Sequence, residues 1–191
     1  MILAFDTETT GIPDWKIPSG DKAQPHIVQL AAALFDEDTH QVVQSMNVIV
    51  RPDGWDIPQE TIDIHGITLE QAMDVGIPEP MAIDMFLELW GGRTRIAHNT
   101  TFDNRIIRIA TKRYSDDKTI DRWKEGSQGS EWICTMLAAR KIMGGKQPSL
   151  QEAHKYFTGV DIQNAHSAWV DTMACANVYW AIQDHYEKHP A

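Results

Sequence analysis

The sequence predicts an α/β fold: a mixed sheet that opens with a three-strand meander, gains further strands, and carries helices on both faces. Three observations predict it. The run Met1-Ile2-Leu3-Ala4-Phe5 is continuously apolar and leads to a turn signal at Gly11, the pattern of a short strand buried on both sides. Two more strand-like runs follow before any helical periodicity begins. Beyond residue 57, segments of helical period alternate with short apolar runs, so the later strands are separated by helices.

The elements follow in order. Residues 12–25 hold Pro13, Pro18, Gly20 and Pro25 among polar residues, a loop long enough to act as a flap. Trp15 within it reads either as a base-stacking platform or, slightly preferred, as the loop's own apolar anchor. His26–Phe35 is a second strand, Asp36–His40 its turn, and Gln41–Val50 a third strand with Val43, Ser45, Asn47 and Ile49 alternating against their neighbours. Pro58–His65 is a short helix with Pro at its start and Gly66 at its end. Thr68 begins a capped turn, Pro80–Trp90 is an amphipathic helix stopped by Gly91-Gly92, and Arg93–Ala97 is a short strand. Thr101–Tyr114 is helical, Ser115–Glu131 is expected to be an exposed connection with a partial turn near Trp123, and Trp132–Cys134 is a strand. Helices then span Thr135–Met143, Ser149–Phe157 and Ser167 to about His185. With no repeat or linker, residues 1–191 are expected to form one domain.

Composition narrows the function classes. Hydrophobic residues make up 42% and charged residues 23%, as in soluble globular proteins. No apolar run approaches the roughly 20 residues that span a bilayer, and the N-terminus lacks the basic region and cleavage site of a signal peptide. Cys134 and Cys175 lie on apolar segments without metal-type spacing and read as reduced core residues, which places the protein in the cytoplasm. A net charge of −10 argues against a protein that coats nucleic acid, because phosphate contacts need Lys and Arg. It is compatible with an enzyme that grips a few nucleotides at a metal site, since acids gathered for cations inflate the negative count.

Four acids stand out. Asp6 and Glu8 are two apart on the first strand and project from the same face at its C-terminal end, where sites of open α/β sheets gather. Asp171 shares a helical stripe with Cys175, Val178 and Ile182, and Asp103 shares one with Ile107, Ala110 and Tyr114. Carboxylates beside core positions are costly unless their charge is compensated. A helix dipole accounts for Asp103 or Asp171 taken singly. Divalent cations account for all four together, because carboxylate oxygens are the hard ligands that Mg²⁺ and Mn²⁺ prefer. The lack of a Cys/His cluster argues against structural zinc. His166 lies just before the last helix, five residues ahead of Asp171, where an imidazole can take a proton from an acidified water.

The chain resembles the DEDDh family of 3′–5′ exonucleases, the group that includes the bacterial replicative proofreading subunit. Three motifs carry the resemblance: Asp6-Thr-Glu8-Thr-Thr-Gly11, Ala97-His98-Asn99-Thr-Thr-Phe102-Asp103, and His166-Ser-Ala-Trp-Val-Asp171. Ile64-His65-Gly66-Ile67-Thr68 matches a further family segment. The resemblance implies an RNase H-like fold and two-metal phosphodiester hydrolysis, with two Mg²⁺ or Mn²⁺ ions about 4 Å apart on Asp6, Glu8, Asp103 and Asp171. It further implies that Asp6 is shared by both ions, that His166 is the general base, and that Thr7, Thr9, Glu60 and His65 meet the terminal nucleotide. Single-stranded DNA with a free 3′ end is the expected substrate, and a polymerase or other replication protein a potential partner, in proofreading, repair or degradation. A ribonuclease trimming RNA ends uses the same residues, and a non-catalytic module on this fold is the remote alternative. The chain departs from many relatives at Trp169-Val170 in the third motif and at Cys134 before Thr135. Arg105, Arg108, Lys112 and Arg113 form its most basic stretch and read as phosphate contacts or a solvated face.

Overall fold

The computed structural model describes residues 1–125 and 131–189. The meander forms as expected: β1 (Ile2–Thr9), β2 (Ile27–Phe35) and β3 (Val42–Arg51) pair antiparallel, with Ala4 opposite Ala33 and Ala32 opposite Met46. β4 (Ile77–Pro78) joins β3 in parallel, while β5 (Thr94–Ala97) and β6 (Trp132–Cys134) extend the sheet in parallel beyond β1. The strand order is β4-β3-β2-β1-β5-β6. The two-residue β4 was not expected, because its pairing rather than any apolar run defines it. Gly76 permits that pairing: a Cβ there would lie 2.7 Å from the Arg51 nitrogen.

Helices α1 (Gln59–His65), α2 (Leu69–Val75), α3 (Glu79–Trp90), α4 (Thr100–Tyr114), α5 (Asp117–Glu125), α6 (Thr135–Met143), α7 (Leu150–Thr158) and α8 (Ala168–Lys188) complete the described elements. Their ends follow local chemistry. Thr68 accepts a hydrogen bond from the Gln71 N–H, and Ser149 and Glu152 form a reciprocal capping box. Side chains alternate across β1 and set the layers. Leu3 and Phe5 join Ile83, Phe86, Ile106 and Trp123 in the larger core under α3, α4 and α5. Ile2 and Ala4 face the other way, against Ala176 and Tyr179 of α8. Burial of each large side chain contributes about 1.5–3 kcal/mol, so a one-residue slip of β1 would lose both layers at once.

The segment expected as an exposed connection is corrected by the structure. Residues 117–125 are helical, Trp123 is fully buried, and its ring meets Phe5, Phe86 and Trp90 edge-on at 6.1, 5.6 and 5.0 Å. The helix is polar except at Ile120 and Trp123, one turn apart, which is too few apolar residues to register as a period. The rest of that expected connection includes 126–130, which lie outside the described residues. Trp123 covers a second unexpected feature. Arg95 on β5 is fully buried, its guanidinium 3.8 Å from the Trp123 ring, 4.5 Å from Trp132 and 5.0 Å from Trp90. It donates to Asn104 Oδ1 and to the Trp123 carbonyl. Cys134 and Cys175 are both free thiols. Among the described residues, no helix is long and apolar enough to cross a membrane.

Candidate active site

The alternation that sorts the core also sorts the acids. Asp6 and Glu8 continue the Ala4 face of β1 toward α8, whereas Thr7 continues the Phe5 face toward α4. α8 brings Asp171 to the first of these faces from its first turn, with Cys175, Val178 and Ile182 buried below it. Carboxylate oxygens of Asp6, Glu8 and Asp171 all lie within 4.8 Å of one another. Asp103 arrives from the opposite face, in the first turn of α4 and only 2% exposed. It reaches β1 because β5 pairs with β1 only as far as Ala4 opposite Ile96. Beyond that point the edge of β1 is open, and the Thr7 N–H and hydroxyl both donate to Asp103 Oδ1, at 3.1 and 2.8 Å.

The electrostatics follow from this crowding. Burial, and after it the charges of Asp103, Glu8 and Asp171, push the Asp6 carboxyl well above the usual range. Burial and then Asp171 raise Glu8 to about 7. Burial raises Asp103 to about 7 against the opposing hydrogen bonds from Thr7. Asp171 is raised by burial, with the His166 N–H bond working the other way. Among the described residues, no Lys or Arg forms an ion pair with any of the four. Clustered hard oxygen donors without a cationic neighbour fit a divalent metal ion.

His166 stands on the loop before α8 in the left-handed region, φ 67°, a conformation uncommon for a residue with a Cβ. Its backbone N–H donates to Asp171 Oδ2 at 3.0 Å, which fixes the loop beside the cluster while the residue itself stays exposed. One supporting residue was not foreseen from the sequence. Gln29 is buried on β2 opposite Glu8; it accepts from the Ala168 N–H at 3.0 Å and donates to Asn47. It thereby ties the start of α8, and so Asp171, to the sheet. A glutamine inside the apolar run Ile27–Phe35 was the available signal. Thr7 was expected to meet substrate, yet both its donors are engaged by Asp103. In the second motif, only Asp103 turns to the acids. His98 bridges Thr135 and the Pro148 carbonyl, Asn99 takes φ 69° to start α4, and the Thr100 hydroxyl donates to the Ala97 and Ile133 carbonyls.

The remaining expected residues lie on the chain just beyond β1 and on α1. The Thr9 hydroxyl donates to the Gly11 carbonyl. Between Thr10–Ile12 and Gly54–Pro58 lies a hollow of about 400 Å³, so the start of α1 faces the chain as it leaves β1. Glu60 is exposed in the first turn of α1. His65 closes α1: its Nδ1 accepts from the Ile67 N–H, which puts the proton on Nε2, and Nε2 is buried without a hydrogen-bond partner among the described residues. Two residues of the basic stretch, Arg105 and Arg113, have partners within the protein. Arg113 donates to the Gln24 and Pro25 carbonyls and lies 3.9 Å from Glu79, and Arg105 donates to the Ile17 carbonyl at 2.7 Å. Both arginines hold the 12–25 loop against α4.

Comparison with known proteins agrees with this architecture. The chain is 28% identical over 155 residues to Exodeoxyribonuclease 10 of Escherichia coli, across 81% of this chain and 54% of the relative. It thus spans about half the length of the curated relatives it matches. Among solved structures it resembles E. coli Exonuclease I bound to a dT13 oligonucleotide, with a TM-score of 0.76 and 20% identity over 98% of this chain and 42% of that one. It also resembles Exonuclease X in complex with 5′-overhanging duplex DNA, with a TM-score of 0.67 and 24% identity over 98% of this chain and 93% of that one. These likenesses establish a shared RNase H-like fold. The exonuclease family model of RNase T type matches residues 3–179, nearly the whole chain. By that match, and by the three motifs now assembled at the end of β1, the chain belongs to the DEDDh family of exonucleases.

Proposed function

We propose that this protein is a divalent-metal-dependent 3′–5′ exonuclease that removes nucleoside 5′-monophosphates from single-stranded DNA ends. One observation carries the reading: acids from both faces of the sheet converge at the open end of β1, and among the described residues no Lys or Arg pairs with them. Names of relatives support the substrate, since one is an exodeoxyribonuclease and the similar solved structures hold DNA.

Two Mg²⁺ or Mn²⁺ ions held by Asp6, Glu8, Asp103 and Asp171 would supply an acidified water and neutralise charge on the departing 3′ oxygen. The protein's own residues do the rest. Asp6, on which the charges of Asp103, Glu8 and Asp171 all bear, would be a ligand to both ions, as in the family the chain belongs to. Thr7 holds Asp103 in register, and Gln29 holds the helix that bears Asp171. His166 takes a proton at its imidazole from the attacking water. Glu60, His65 and Thr9 would meet the terminal nucleotide, with α1 facing the chain as it leaves β1.

Incubation of 5′-labelled single-stranded DNA and RNA oligomers, with Mg²⁺, Mn²⁺ or EDTA, tests the reading. A metal-dependent ladder that shortens from the 3′ end is expected on DNA. Immediate release of the 5′ label would refute the polarity, faster trimming of RNA would reassign the substrate, and no cleavage with any metal would overturn the enzyme reading. His166→Ala is expected to lower turnover about 100- to 10,000-fold while metal affinity changes little. Lost metal binding in that variant would make His166 a ligand instead.

A further inference from the structure

The 12–25 loop begins four residues after Glu8 and returns to β2, so it stands beside the acidic cluster by connectivity. It is an ordered structure built on a polar centre. Gln24 is 2% exposed; its amide donates to the carbonyls of Asp14, Ile17 and Pro18 and accepts from the Asp14 N–H. Ser19 is also buried. From α4, Arg105 and Arg113 bind four of the loop's carbonyls, those of Asp14, Ile17, Gln24 and Pro25. With the centre filled this way, Trp15 is not the anchor. It is 54% exposed, a large apolar ring held out to solvent by a braced loop.

Its surroundings point to an occupant. The Arg105 guanidinium lies over the Trp15 ring, 5.4 Å from its centroid, and covers one face. Arg105 is two residues beyond Asp103 on α4, and among the described residues no acid pairs with it. A tryptophan with one face backed by an unneutralised guanidinium offers its other face to a flat ring that carries a nearby negative charge. A nucleobase on its phosphodiester backbone meets both requirements.

Resting on the exonuclease reading above, we infer that Trp15 is the stacking platform for one base of the single strand upstream of the nucleotide being removed, with Arg105 beside that base's phosphate. Bases within a duplex are already covered on both sides, so the platform selects unpaired ends. It also gives this acidic chain a source of affinity that requires few cations.

Steady-state cleavage of dT12, and of dT12 variants with a single abasic residue at successive upstream positions, tests the inference with wild-type, Trp15→Ala and Trp15→Phe proteins in Mg²⁺. Trp15→Ala is expected to raise KM for dT12 about tenfold, within the range for loss of one aromatic–base stack, with kcat within twofold and Trp15→Phe intermediate. In the wild type, one abasic position should raise KM by a similar factor, and that penalty should vanish in Trp15→Ala because both changes remove the same contact. An abasic penalty that persists unchanged in Trp15→Ala, or an unchanged KM for the variant, would overturn the platform. Failure of wild-type protein to cleave any oligomer would instead strike the exonuclease reading.

Discussion

Two neighbouring strands each carry charge out of water, and they resolve it in opposite ways. On β5, Arg95 is fully buried with no acidic partner among the described residues, and burial lowers it to about 9. Three tryptophan rings and two oxygen acceptors surround it, so its compensation comes from the protein itself. On β1, Asp6 and Glu8 are surrounded by further acids, so their compensation must come from protons or from a cation outside the chain. A buried charge that the fold satisfies is architecture. A cluster of one sign that the fold leaves unsatisfied is a binding site held at a cost in stability.

The comparison can be broken most strongly at Asp6. Asp6→Asn is expected to reduce exonuclease turnover by at least about a thousandfold, equivalent to about 4 kcal/mol of lost transition-state stabilisation. The same change should raise the melting temperature of the metal-free protein, because one repelling charge is gone. Unchanged turnover would remove Asp6 from the chemistry.

Arg95 should respond in the other order, with stability affected and the reaction spared. Arg95→Ala empties the space between the tryptophans and is expected to cost about 3 kcal/mol in urea unfolding. Arg95→Met fills that space and removes a charge whose Nη1 has no hydrogen-bond partner among the described residues, so it should stay within about 1 kcal/mol of wild type. A Met variant as unstable as the Ala variant would show that the cation–aromatic contacts outweigh the desolvation cost.

The pH dependence of stability separates the two regions again. Glu8 and Asp103 titrate near 7 when folded and near 4 when unfolded, so between those values the folded state holds more protons. Stability from these groups is therefore fully present below about pH 4 and lost as pH rises toward 7. In EDTA the protein should melt at a lower temperature at pH 8 than at pH 5, with about 2 kcal/mol of unfolding free energy lost through Glu8 alone, and saturating Mn²⁺ should reverse the order. A metal-free melting temperature independent of pH would contradict the crowding of the acids.

The smallest effect is expected at Thr7. Thr7→Val keeps the backbone donor to Asp103 and deletes the hydroxyl donor, so turnover should fall about tenfold, matching the loss of one hydrogen bond to a charged group of about 1.5 kcal/mol. Metal titration should show weaker binding in parallel. Equal activity in the two proteins would leave the backbone N–H as the sole support of Asp103.

Local pattern explains what was legible. The β1 run, the Pro58–Gly66 and Ser149–Glu152 end signals, and the stripe beneath Asp171 all express interactions between residues close in sequence, and each element formed within a few residues of its expected bounds. What was illegible depends on distant partners. α5 is polar apart from Ile120 and Trp123, and only the core that receives Trp123 identifies it. Arg95 read as an ordinary strand residue until three tryptophans from three elements closed on it. Arg105 and Arg113 looked like a free basic face, because nothing local reveals that the loop's carbonyls would meet them.

By itself the sequence determined the identities of the four acids and His166, the period that puts Asp6 beside Glu8, and the order of the strands and helices other than β4 and α5. Those follow from backbone geometry, which repeats every two or 3.6 residues whatever the rest of the chain does. Only the tertiary structure decided that β5 stops short of Thr7, that Asp103 enters through the gap from one face while Asp171 comes from the other, and that Trp15 stands outside its loop. These outcomes depend on which long-range contacts win a competition for the same donors and the same buried space, and no window of neighbouring residues contains the competitors.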